Sequence, residues 1–141
     1  MKLGLRFFLS WILSAMVMFT LFYIWHGIFL NDFKRIQLPL TWFVTFAALT
    51  YLLFGVGIYF LYESHFMKKI HNFFVRGLLC GVIAGFSLFM ISTIVNISLT
   101  GHLSIQHLTM DCIWQMSEQV VGTMVIVILK IVIYEPQAEH V

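Results

Sequence analysis

The chain has 141 residues, 61% of them hydrophobic and 10% charged, with a net charge of +2. An average soluble domain carries roughly a quarter charged residues, and a fold of this size has no way to hide so much apolar surface from water, so lipid is the solvent that suits it. The small, scattered charge argues against a nucleic-acid interface. Two cysteines, Cys80 and Cys112, give neither a disulfide framework nor metal-ligand spacing.

A helix needs about 20 predominantly apolar residues to cross a bilayer. Four segments qualify, approximately 7–30, 40–62, 77–100 and 112–134. The expected fold is an all-α integral membrane four-helix bundle, a single domain over 1–141. The first segment follows Lys2 and Arg6, as a secretory signal would. Its apolar run is too long for a signal h-region, and no A-x-A-like cleavage site follows, so it reads as a retained span.

The first loop is polar and ends at Pro39, a residue suited to the first turn of a helix. The second, 63–76, holds Lys68, Lys69 and Arg76. The third, about 101–111, holds His102 and His107 but no lysine or arginine. Pro136 follows the fourth span, where a helix is expected to stop. Placing Lys2, Arg6, Lys68, Lys69, Arg76 and Lys130 in the cytoplasm leaves only Lys34 and Arg35 outside. The positive-inside rule thus puts both termini in the cytoplasm, most simply that of a bacterial inner membrane. Trp25, Trp42 and Trp114 are expected at the outer interface, and Trp11, Tyr62 and Tyr134 at the inner one. Lys130 is expected to snorkel to the cytoplasmic surface.

Gly77, Gly81 and Gly85 recur every four residues on the third span, and Gly122 lies on the fourth. Small residues at this spacing let helix backbones approach closely. Packing within the chain is the simpler reading, and a seam with a second copy or a partner subunit is the alternative.

Asp111, Gln115, Glu118 and Gly122 share one face of the fourth helix, and His107 joins it if the helix begins early. Glu118 falls roughly 9 Å below the outer end of the expected span. An acid there is costly, so it takes up a proton or pairs with a cation or donor, and it is a functional-site candidate by default. Asp111 has a simpler explanation: with Thr109 as N-cap, it occupies the first turn, where negative charge suits the helix dipole. His26, Asn96 and His107 fall on the same outer side. Together with the acids they outline a cluster for a small amphipathic molecule such as a lipid or quinone, a proton, or a cation. His107 and Asp111, at i, i+4, are weak metal candidates. No cofactor is required by the sequence.

Phe22-Tyr23-Ile24-Trp25-His26-Gly27 closes the first helix, and Met110-Asp111-Cys112-Ile113-Trp114 opens the last, with Gly122 beyond. In these motifs the chain resembles small four-helix bacterial membrane families of unknown function, although the first helix there often ends in Trp-Tyr where this chain has Trp-His. The resemblance implies a fold and no activity. Three functions are compatible with the residues. The first is an accessory or assembly subunit, or a self-associating bundle, working as a homo-oligomer or within a larger membrane complex. The second is a binding or transport protein centred on Glu118. The third is a membrane enzyme using Glu118 or Asp111 as acid or base.

Overall fold

The structure, a computed structural model, describes the backbone of residues 4–34, 39–100 and 105–133, with their side chains except at Asp32 and 95–100. Lys2, Arg35, His102, Tyr134 and Pro136 lie outside the described residues, as does the side chain of Asn96. All regular structure among the described residues is helical. Four helices are long and apolar enough to cross a membrane.

Helix α1 spans Leu5–Phe22 and continues as π-helical turns over Tyr23–Phe29. Asn31 ends this stretch with φ at 56°, a left-handed conformation that asparagine tolerates better than most residues. Helix α2 spans Leu40–Glu63, and the Pro39 carbonyl accepts from the amides of Trp42 and Phe43 at 3.0 and 3.2 Å. A four-residue helix, α3 (His65–Lys68), follows, capped by the Ser64 hydroxyl. Helix α4 spans Phe73–Thr100 and α5 spans Ile105–Val132.

Two boundaries differ from expectation in ways that matter. The expected third span began at Gly77, with Arg76 in a loop. Instead the Asn72 side chain accepts from the amides of Phe74 and Val75 at 3.0 and 3.2 Å, starting α4 earlier and drawing Arg76 into its first turn. Similarly, α5 already runs at Ile105. Thr109 is therefore no N-cap: its hydroxyl donates to the Ile105 carbonyl within the helix, and Asp111 stands in the second turn.

The most extensive packing joins α4 to α5. Helix α1 lies against both α5 and α2. Gly77, Gly81 and Gly85 all face α5. A Cβ on Gly81 would run into the Cα of Val120, and one on Gly85 would lie 2.5 Å from the Cα of Met116. Here backbone meets backbone, and a glycine is required for the approach. The glycine stripe is thus occupied within the chain.

The apolar core follows the same axis. Phe7, Met18, Tyr51, Ile58, Tyr59, Ala84, Leu88 and Ile126 form one buried cluster, and Tyr62, Met67, Cys80 and Val127 a second. Two aromatic residues expected at the inner interface are drawn inward. Tyr62 is 1% exposed, and Trp11 donates its indole N–H to the Leu52 carbonyl at 2.7 Å. Lys130 likewise turns to the bundle rather than outward: its ammonium pairs with Glu63 and lies 4.4 Å from the Tyr59 ring centre.

Candidate functional site

Gln115, Glu118, Gln119, Gly122 and Thr123 are buried on successive turns of α5, a polar strip in an otherwise apolar bundle. Three helices enclose it. From α1, Ser10 and Ser14 are fully buried one turn apart, and the Ser14 hydroxyl donates to the Gly122 carbonyl at 2.8 Å. From α2, Tyr51 is buried against the strip. From α4, the close approach at Gly85 brings its backbone to the Gln115 carbonyl. Thr123 satisfies itself by donating to the Gln119 carbonyl at 2.7 Å.

Glu118 occupies the centre and is 1% exposed. Gln119 donates its side-chain amide to Glu118 Oε1 at 3.2 Å. The Tyr51 hydroxyl lies within interaction range of the same carboxyl, as does the Trp114 indole, whose N–H completes no hydrogen bond. These partners are all neutral. Three buried acceptor oxygens in little more than one helical turn, Gln115 Oε1, Glu118 Oε2 and Gln119 Oε1, have no hydrogen-bond partner in the protein. Each such atom costs about 1–3 kcal/mol when left unmet. The two amide oxygens only accept, and Glu118 Oε2 accepts while the carboxyl is ionised, so what relieves the cluster is a donor, a cation or a proton on Glu118 itself.

Helix α5 begins earlier than the span expected from residue 112, which changes where the strip falls along it. Glu118 is at the midpoint of a 28-residue helix, roughly 20 Å from either end. Of the residues singled out from sequence, Glu118, Gln115 and Gly122 come together here. Asp111 is half-buried and nearer the start of α5, while His107 is exposed. His26 lies in the π-helical segment, its ring 5.0 Å from that of Phe22. Above the strip, Trp25 and Trp114 stack with centroids 4.2 Å apart and planes 10° from parallel.

Among the described residues no three His, Cys, Asp or Glu side chains gather into a metal-binding group. Sequence reasoning missed Tyr51, Gln119, Thr123 and the serine pair. Gln119 and Thr123 were within reach, since they continue the i, i+4 spacing from Gln115. Ser10 and Ser14 repeat the same spacing on α1. Tyr51 carries no local signal, because nothing in an apolar helix tells which way a lone phenol is turned. Compared with known proteins, the chain matches no family model, and no curated protein or solved structure is significantly similar to it.

Proposed function

We propose that the chain is an integral protein of the bacterial cytoplasmic membrane. It crosses four times as one domain with both termini inside, and its mid-bundle polar strip binds a small amphipathic molecule bearing positive charge or hydrogen-bond donors. The charge distribution supports the orientation: among the described residues Arg6, Lys68, Lys69, Arg76 and Lys130 lie toward one end, and Lys34 lies toward the other. The binding reading is carried by one observation, the three unpartnered acceptors supplied by Gln115, Gln119 and the buried Glu118 itself, whose side-chain partners are all neutral. Aromatic walls suit the same ligand. Phe22 and Phe19 pack on Tyr51 at 5.4 and 6.3 Å, and ring faces attract cations.

The test is a titration of the protein in lipid nanodiscs, followed by tryptophan fluorescence, with three probes. Tetraphenylphosphonium carries charge without donors, dodecylamine carries both, and a short-chain ubiquinol carries donors without charge. At least one probe is expected to give a saturable response that Glu118→Gln abolishes while remaining helical. If no probe saturates, or the Glu118→Gln curves superimpose on wild type, the binding reading is wrong.

A second reading, as an accessory or self-associating subunit, keeps one observation in its favour. Gly57 on α2 faces open space, with nothing within 4 Å of where its Cβ would be. An open glycine on a membrane helix is a place for another helix to approach. Gly57→Leu then shifts the oligomer distribution seen by native mass spectrometry; an unchanged distribution removes this support.

A further inference from the structure

A cleft of about 380 Å³ opens at the end of the bundle where α1 and α4 begin and α2 and α5 end. Arg6, Arg76 and Lys130 line it, with Glu63 the one carboxylate among the lining residues. Glu63 is already engaged, by Lys130 and by Lys68 at 3.0 Å, and makes no ion pair with Arg76.

Arg76 is the informative member. It is 8% exposed, yet it makes no ion pair among the described residues, and its Nε is buried without a hydrogen-bond partner. Its guanidinium carbon lies 4.0 Å from the centre of the Tyr62 ring and 5.5 Å from that of Phe73. Ring contacts of this kind hold the guanidinium as a cation but use none of its five N–H donors. Those donors form the fork that fits a phosphate.

We propose that this cleft, lined by Arg6, Arg76 and Lys130, binds the phosphate of an anionic phospholipid headgroup, with Arg76 as its principal donor. The cleft's position supports a lipid source over a soluble one. It lies at the helix ends, the level of headgroups, and basic pockets between membrane helices on the cytoplasmic side recognise such groups. Phe73 and Ile131 at its rim are 55% and 56% exposed, apolar surfaces that would run beside acyl chains. This inference rests on the membrane reading above but not on ligand binding at Glu118.

The experiment is native mass spectrometry of delipidated protein in detergent, titrated separately with phosphatidylglycerol, phosphatidylcholine and sodium phosphate. One phosphatidylglycerol is expected to bind about tenfold or more tightly than phosphatidylcholine. Arg76→Gln is expected to erase that preference, whereas Lys69→Ala and Glu118→Gln keep it. Should Arg76→Gln fail to fold, the wild-type comparison still decides. Equal affinity for the two lipids overturns the proposal, as does a preference that survives in folded Arg76→Gln. Sodium phosphate binding alone and displacing the lipid at millimolar concentration overturns the lipid assignment in favour of a soluble anion.

Discussion

Ser14 of α1 and Gly122 of α5 are joined by a 2.8 Å hydrogen bond from the serine hydroxyl to the glycine carbonyl. A carbonyl has two lone pairs, so it accepts the serine and keeps its helical bond. Ser14→Ala is expected to cost about 1 kcal/mol, in the usual range for interhelical bonds in membranes, read as a lower unfolding midpoint in a mixed-micelle denaturation series.

The glycines form a graded series. A Cβ at Gly122 would meet Cγ and Sδ of the buried Met18, an unbranched side chain that must repack to make room. At Gly81 and Gly85 it would meet α5 backbone instead. Alanine at Gly122 is therefore expected to be milder than at Gly81 or Gly85, where it costs about 1–3 kcal/mol by overpacking. Alanine at Gly57, which faces open space, is expected to leave stability unchanged or slightly raised. Thermal unfolding of the four variants side by side checks the order.

Glu63 bridges two lysines of unequal burial, with side-chain exposure of 11% at Lys130 and 53% at Lys68. Glu63→Gln strands Lys130 and is expected to cost about 2–3 kcal/mol, whereas Lys68→Ala costs less than about 0.5 kcal/mol. Combining Glu63→Gln with Lys130→Met is expected to recover most of the loss, because the unpaired ammonium is gone. A double-mutant cycle by denaturant unfolding measures it.

The Trp25–Trp114 stack ties the π-helical end of α1 to α5 above the polar strip. Trp114→Phe keeps an aromatic surface but removes an indole N–H that has no partner in the protein. It is expected to leave stability within about 1 kcal/mol of wild type. Trp114→Ala is expected to cost about 3 kcal/mol or more, as loss of a packed ring does. Near-ultraviolet circular dichroism, sensitive to the stacked pair, reports both.

The existence of four apolar helices was legible because their length and composition need no knowledge of neighbours. Facing was legible only where a residue broke the apolar pattern. Gly81 marks the α4 surface that meets α5, and Gln115 with Glu118 marks the buried face of α5. Where a helix is apolar all round, as α2 is near Tyr51, rotation about its axis leaves no trace in the sequence. The end of the bundle that holds Lys130 and Arg76 was less legible for a related reason. Lys130 and Arg76 read as surface charges until Glu63, Tyr59 and Tyr62 are brought against them. The start of α5 was placed too late because it carries polar residues, His107 and Asp111, that suggest a loop but continue the helix.

The π-helical turns at Tyr23–Phe29 have one more consequence. The Leu30 amide reaches back five residues to the Trp25 carbonyl, at 2.9 Å, so each turn winds in more chain than an α-turn does. Deleting one residue from this stretch would not simply shorten the helix. It would let the ladder reset to four-residue spacing and swing Trp25 around the axis, away from Trp114. The end of the first helix thus acts as a spool, and how tightly it is wound sets whether Trp25 lies against Trp114.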